Sequence, residues 1–406
     1  MMKSRRLLQR SFRLGNPVDA RTVEGRFWML PGLRRSPISI APSWNRTVLH
    51  LIPTLEGGGA ERQLAMLAAQ QVRQGLNVHV GFRRAGIHGL ALKNSGVKLH
   101  DLGDFRRLPL RFMWNLHLLV SKVRPGVIQT WLPSMDVLGG LMAAGHRRPW
   151  LISERSSREA YNSGQIYQAR LLLSRFADGV VANSEGGLQY WKSRGHKGLM
   201  HFLVHNAVPL AEIEQAPAQF PPDAVSPYLL TVGRLSPEKN VQTILDVALG
   251  IESSVPICFV VLGEGSERPR LERQVAAAGI PGRVILLRYT ENWWGMLKGA
   301  AVLVSLSSYE GNPNVVLEAI ASGCPLILSD IDAHRELLDD DAAIFVPKGD
   351  TDALKDAINQ VLTDPVSAKE RARRARTIIT NRSGTHAAEL YQRVYCTVAC
   401  GASDAT

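Results

Sequence analysis

Twice along the chain, short β-branched and apolar runs alternate with stretches of helical period, and a proline-rich segment separates the two series. The second series runs Tyr228 to Val232, Ile257 to Leu262, Val284 to Leu287, Ala301 to Leu306, Pro325 to Ser329 and Ala343 to Val346. The first runs Thr47 to Ile52, Asn77 to Phe82, Val97 to Leu102 and Val127 to Thr130, and Gly179 to Ala182 closes it. Strands joined by helices cannot pair as hairpins, so each series predicts a parallel sheet covered on both faces. Pro209, Pro217, Pro221, Pro222 and Pro227 interrupt any helical period between them. At 406 residues the chain is long for one core and sufficient for two. The expected organisation is an α/β domain over 47–208, a linker over 209–227 and a second α/β domain over 228–382, both doubly wound and Rossmann-like. A final helix is expected from Ser383 to Val398, with Ser383 as its cap, followed by a tail to residue 406.

Charge is uneven. Residues 1–46 hold ten Lys or Arg against Asp19 and Glu24, which accounts for eight of the net +12. With little apolar periodicity, this arm is expected to be disordered. It could attract an anionic membrane leaflet, or reflect a start codon placed too early. No secretory signal is evident, and no run of about 18 apolar residues could span a bilayer. Segment 110–123 has helical period; Trp114, Leu118 and Val123 are read as its buried face, in preference to a membrane contact made with Arg111 and Lys122. Cys258 and Cys324 lie in or beside apolar runs and read as buried thiols, while Cys396 and Cys400 have no His pair at metal spacing. Four cysteines in a chain of this length make no disulfide framework, so a reducing cytoplasm is the simplest setting. The basic arm lacks aromatic interleaving and a recognised motif, so nucleic acid is not an expected partner.

The densest chemistry lies at Tyr309-Glu310-Gly311-Asn312-Pro313-Asn314-Val315-Val316-Leu317-Glu318. Gly311 and Pro313 end the preceding strand, and Asn314 reads as a helix cap. Glu310 then falls in a loop at the carboxyl end of a strand, and Glu318 about one turn into a helix. Ligands of open α/β sheets bind at that edge, and free N–H groups opening a helix favour an anion. A comparable exit follows the first strand, where Gly57-Gly58-Gly59 lets backbone approach a ligand at a helix start. It is not the G-x-G-x-x-G fingerprint, so a nicotinamide dinucleotide is not implied. After Tyr228 to Val232 comes Gly233-Arg234-Leu235-Ser236-Pro237-Glu238-Lys239-Asn240, placing two cations on one short loop suited to a diphosphate. Gly263-Glu264-Gly265-Ser266 forms a further glycine turn after the next strand. Solvated acids and a solvated basic turn are the bland alternatives for these stretches.

Glu310 and Glu318 match the E-x7-E signature of retaining glycosyltransferases of the group 1, family four type. G-R-L-S-P-E-K-N and G-G-G-A-E-R-Q-L also resemble that family's wording. The resemblance implies the two-lobed GT-B fold with a central cleft, and a final helix that crosses back onto the first domain. It further implies a sugar moved from a nucleoside diphosphate sugar to the hydroxyl of a saccharide or lipid-linked acceptor, with configuration retained, in polysaccharide or glycolipid assembly at the cytoplasmic face of the membrane. On this reading Arg234 and Lys239 stabilise the departing diphosphate, Glu310 addresses the donor sugar and Glu318 the ribose. Gly58, Gly59, Gly233, Gly263, Gly311, Asn312, Pro313, Asn314 and Val315 line the donor site. Ser134 and Arg155 lie on the acceptor side, Ser134 standing where many relatives carry His, and Arg155 equally open to an ion pair with Glu154 or Asp178. Ala207 replaces a usual Gly and implies a less strained turn.

Asp330-Ile331-Asp332 and Asp339-Asp340-Asp341 fit the metal-binding D-x-D of the other large glycosyltransferase architecture. With two cations already placed for the diphosphate, neither a metal nor a separate cofactor is expected. A covalent intermediate on Glu310 and same-face attack both remain open, as do a nucleotide-sugar epimerase or phosphorylase of the same fold.

Overall fold

Strands β1 (Thr47–Thr54), β2 (Asn77–Arg84), β3 (Lys98–Asp101), β4 (Val127–Trp131), β5 (Trp150–Glu154), β6 (Gly179–Ala182) and β7 (Met200–Leu203) form one sheet of order β3-β2-β1-β4-β5-β6-β7. Every pairing in it is parallel. A second sheet contains β8 (Tyr228–Val232), β9 (Cys258–Leu262), β10 (Val284–Leu287), β11 (Val302–Ser305), β12 (Leu326–Ser329) and β13 (Ile344–Val346), in the order β10-β9-β8-β11-β12-β13 and again all parallel. Strand order reverses between β1 and β4 in the first sheet and between β8 and β11 in the second. Such switch points open a crevice at the carboxyl edge of a doubly wound sheet. The computed structural model describes residues 44–161, 164–251, 256–290 and 293–401, so most of the basic arm expected over 1–46, and the tail from 402, lie outside the described residues.

Alternation along each strand explains why both faces are covered. In β1, Val48 and Ile52 pack beneath helix α1 (Gly59–Arg73), while Leu49 and Leu51 face the opposite core under α3 (Pro109–Val123) and α4 (Pro133–Gly145). The second sheet is sandwiched in the same way, with Leu230, Val260 and Leu303 on one side and Leu229, Val261 and Val302 on the other. Helix Gly384–Gly401 puts Ala388, Tyr391, Val394, Tyr395 and Val398 into the first sheet's core, beside Trp44 and Val48. Ser383 Oγ accepts from the backbone N–H of His386 at 3.1 Å, opening that helix.

Two strands fall outside the expected runs. β5 ends in the polar pair Ser153-Glu154, and β7 is a four-residue edge strand without alternation of burial. The orientation of α3 also differs from expectation: Phe112, Leu116, Leu119 and Val120 are buried, whereas Trp114 and Leu118 are exposed. Cys258 and Cys324 are buried thiols, as expected, and among the described residues no disulfide joins any of the four cysteines.

A buried polar chain crosses the first core. Trp131 Nε1–H donates to His50 Nδ1 at 3.2 Å, and His50 Nε2 meets Gln71 Oε1 at 2.8 Å. Gln71 Nε2 donates to the Tyr395 hydroxyl at 2.8 Å, and Tyr395 donates to Gln129 Oε1 at 2.5 Å. An indole N–H can only donate, so His50 Nδ1 carries no proton and the ring is neutral.

Candidate active site

Loops from both sheets converge at the carboxyl edges. Gly233, with φ of 154°, turns the chain sharply out of β8. The β9 exit packs backbone to backbone on that loop: a Cβ at Gly263 would lie 1.9 Å from the Gly233 carbonyl oxygen, and one at Gly265 would lie 2.2 Å from that of Leu235. Leu235 N–H donates to the Glu264 carbonyl at 2.8 Å, fixing the two loops together. Glycines 263 and 265 are therefore required by close packing before any ligand is considered.

This support brings Lys239 to the β11 exit, where its ammonium is paired with Glu310. Ser307 Oγ donates to the same Glu310 oxygen at 2.8 Å, and Ser308 N–H reaches the Glu238 carbonyl at 2.8 Å. Burial alone would raise the Glu310 carboxyl pKa, but Lys239 and the hydrogen bonds from Lys239 and Ser307 bring it below its ordinary value. Glu310 is thus held ionised beside a cation. Arg234, on the same loop, is exposed, and its guanidinium has no protein partner among the described residues.

Behind this pair stands His334, which is fully buried. Its Nδ1–H donates to the Ser329 carbonyl at 2.8 Å, and Nε2 has no partner among the described residues. Burial lowers its pKa, and the charges of Glu310 and Lys239 act on it in opposite senses. Sequence reading passed over His334; the polar residues right after β12, another carboxyl-edge exit, were the available signal.

Helix Asn314–Ser322 starts as expected after Pro313, but Asn314 does not cap it. Its Oδ1 accepts instead from Gln63 at 3.1 Å and Asn206 at 2.7 Å, both from the first half of the chain. Asn206 N–H also donates to Asn312 Oδ1 at 3.0 Å, and Asn206 Nδ2 donates to the Asn312 carbonyl at 2.8 Å. Gln63 reads both backbone groups of Ala207, at 2.8 and 2.9 Å. Gly311 fits because a Cβ there would sit 2.8 Å from the Arg155 carbonyl oxygen. Asn312 and Asn314 thus tie the two lobes together through Asn206. Replacing Asn206 by alanine is expected to cost ~2 kcal/mol. Asp costs more, because its oxygen would face the Asn312 carbonyl and Asn314 Oδ1; chemical denaturation of the three proteins checks the order.

On the first lobe, Gly58 precedes α1, and a Cβ there would collide with the Glu61 carboxylate; one at Gly59 would lie 2.9 Å from Asn314 Nδ2. Arg62, on the first turn of α1, pairs with the buried Glu318, whose other oxygen accepts from Trp294 Nε1 at 2.8 Å. Arg62 is a site residue that spacing could not reveal, because its partner lies in the other domain. Val315 is half-buried in the first turn of Asn314–Ser322. Ser134 lies in the first turn of α4, its hydroxyl without a protein partner among the described residues.

Arg155 forms neither of the ion pairs considered for it. Glu154 is taken by Arg170 at 3.0 Å and Trp191 at 2.7 Å, and Asp178 accepts from the Trp150 N–H at 2.7 Å. Arg155 instead donates to Asn206 Oδ1 at 3.2 Å and to the Tyr391 hydroxyl, with its guanidinium 4.3 Å from the centre of the Trp131 ring. Glu154 accepts from the N–H groups of Arg155 and Ser156 at 2.8 and 3.0 Å, which shapes this loop. In the two D-x-D stretches, Asp330 and Asp340 are both bound by Arg335, at 2.7 and 2.9 Å. Among the described residues no cluster of three potential metal ligands occurs.

Comparison with known proteins agrees with this architecture. The family model for Glycosyltransferase Family 4 matches residues 57–212, and that for Glycosyl transferases group 1 matches residues 212–378. The chain is 22% identical over 322 residues to the lipopolysaccharide core biosynthesis glycosyltransferase LpsE of Rhizobium meliloti, across 79% of this chain and 85% of the relative. It is 26% identical over 333 residues to the GalNAc-alpha-(1->4)-GalNAc-alpha-(1->3)-diNAcBac-PP-undecaprenol alpha-1,4-N-acetyl-D-galactosaminyltransferase of Campylobacter jejuni, across 79% of this chain and 90% of that one. Among solved structures, Anabaena HepE in complex with UDP-glucose has a TM-score of 0.75 at 18% identity, over 86% of this chain and 99% of that chain. With its two Rossmann-like domains of the GT-B type, the chain belongs to the group 1 glycosyltransferases.

Proposed function

We propose that this glycosyltransferase moves a sugar from a nucleoside diphosphate sugar to a hydroxyl of a saccharide or lipid-linked acceptor, with retention and without a metal ion. The observation that carries this reading is the Lys239–Glu310 pair at the β8 and β11 exits, with the exposed Arg234 on the same loop. Two cations at that edge can take up the charge of a departing diphosphate. The bond from the anomeric carbon to phosphate oxygen breaks with its electron pair on the diphosphate. The acceptor oxygen then bonds on the same face, and its proton passes to the leaving phosphate oxygen. Glu310, held ionised, favours positive charge at the anomeric carbon. Glu318 would exchange Arg62 for the ribose hydroxyls, and the glycine exit at Gly58 and Gly59 would accept the phosphates. Ser134 and Arg155 are assigned to the acceptor side.

HepE was solved with UDP-glucose, and the Campylobacter relative is named for an undecaprenol-linked saccharide, which supports a nucleotide sugar and a lipid-linked acceptor. The name of LpsE supports a place in polysaccharide or glycolipid assembly. Four cysteines without a disulfide among the described residues suit a cytoplasmic setting. Among the described residues no helix is long and apolar enough to cross a membrane.

A panel of UDP- and GDP-sugars tested for protection against heat examines the donor site. The right donor at a hundred times its dissociation constant is expected to stabilise the protein by ~2.7 kcal/mol, and Arg234→Ala to remove most of the shift. A panel without any shift overturns the donor assignment. Transfer should then require an acceptor, survive a chelator and preserve anomeric configuration by NMR. Sugar nucleotide interconversion without acceptor would instead indicate the epimerase of the same fold, and a requirement for inorganic phosphate would indicate the phosphorylase.

A further inference from the structure

Helix α3 turns an apolar stripe to solvent. At about 100° per residue, Leu110, Trp114 and Leu118 fall on one side of the helix, with Arg111 and Lys122 along one edge of that stripe. Leu110 is 86% exposed and Trp114 61%, although Phe112, Leu116 and Leu119 already anchor the opposite side in the core. The loop before it adds the exposed Leu108, Arg106 and Arg107, and Leu90 on α2 (His88–Asn94) is 69% exposed. Since α2 and α3 follow β2 and β3, their first turns lie at the same carboxyl edge of the sheet as the active-site loops.

Charge decides what could cover this face. Residues 104–124 hold Arg106, Arg107, Arg111, Lys122 and Arg124, all exposed, against the single acid Asp104, which lies 3.9 Å from Arg107. The chain's own arm carries ten cations against two acids in residues 1–46, and a second copy would bring the same cations to the same face. Both would be repelled. An apolar stripe edged by cations matches the interfacial helix pattern, in which leucine and tryptophan enter the headgroup boundary and basic side chains meet anionic lipid.

We propose that the outer face of α3, with the preceding loop, docks the enzyme on an anionic bilayer. This surface lies within residues 104–124, and it puts the cleft edge at the membrane, where a lipid-borne acceptor would arrive.

The test uses the full chain and reads vesicle binding, not transfer, so its outcome is independent of the donor assignment. Co-sedimentation is measured with phosphatidylcholine vesicles and with vesicles containing one-quarter phosphatidylglycerol. The wild type is expected to bind the anionic vesicles at least tenfold more tightly. Arg106→Ser with Arg107→Ser and Arg111→Ser should lose roughly a hundredfold, at about fivefold per cation. Leu110→Ser with Trp114→Ser should lose about tenfold or more, with an unchanged unfolding midpoint because both residues are exposed. If that pair disturbs folding, the single exchange Leu110→Gln supplies the same reading. Equal binding to both vesicles overturns the proposal. So does binding that survives the α3 variants but disappears when Lys3, Arg5, Arg6, Arg10 and Arg13 are made serine, which would assign the contact to the arm. Dissociation of a vesicle-free oligomer by Trp114→Ser would identify the face as a contact between copies and overturn it equally.

Discussion

Replacing Lys239 with alanine is expected to lower kcat/KM for sugar transfer by two to three powers of ten, ~2.7 to 4 kcal/mol of transition-state stabilisation. Lys239 has two tasks that the variant separates. It offsets the Glu310 carboxylate, whose side chain is only 16% exposed, and it stands ready for the diphosphate. Without the ammonium, burial acts on Glu310 with much less opposition, and its pKa moves up from the lowered value it has now. The acidic limb of the pH–rate profile should therefore move to higher pH as well as the plateau falling. Adding Glu310→Gln to Lys239→Ala removes the uncompensated acid. Because Glu310→Gln also removes the carboxylate's own contribution, the double variant is compared with Glu310→Gln alone: if neutralisation were the lysine's whole role the two would be equally slow. The leaving-group role predicts that the double variant is slower still, and Lys239→Arg should restore part of the rate by keeping the charge. Transfer by Lys239→Ala within a factor of about three of wild type, at saturating donor and acceptor, would falsify the assignment.

What could be read from sequence was local. The β8, β9, β10, β11 and β12 runs were plain because residues buried on both sheet faces form continuous apolar stretches, and the glycine exits were plain because backbone crowding there leaves no room for a Cβ. Asn314 shows where locality ends. It fits a cap by every neighbouring residue, yet its amide is taken by Gln63 and Asn206 from the other lobe. Arg62 and Glu318 meet by the same route, with each lobe supplying one partner. In α3 two stripes share the helical period, Leu110-Trp114-Leu118 and Phe112-Leu116-Leu119. Periodicity identifies a helix from either, but which stripe faces the core depends on the sheet beneath. His334 was missed because its position became meaningful only once β12 and the Glu310 loop lay side by side.

Acid is expected to unmask His50, and replacing it by glutamine should remove about 3 kcal/mol of the stability that wild type loses between pH 6.5 and 4. Burial lowers the His50 pKa from 6.5 to about 4, partly opposed by its hydrogen bond with Gln71. The sign follows from proton counting: between those values the unfolded chain binds a proton that the folded ring refuses. Stability from this residue is thus complete above pH 6.5, falls as pH drops toward 4, and levels off below it. Geometry gives the cause, because a proton on Nδ1 would confront the Trp131 N–H that now donates to it. Glutamine can still accept from Trp131 and donate to Gln71 without titrating. The comparison must be a difference between the two proteins, since Asp136, whose carboxyl is pushed up by burial to about 6, gains folded-state stability over part of the same range. Urea titrations at pH 7 and pH 4.5 supply that difference. Parallel pH curves for wild type and His50→Gln would mean that the buried chain from Trp131 to Tyr395 accommodates an imidazolium, against the donor and acceptor order argued for it.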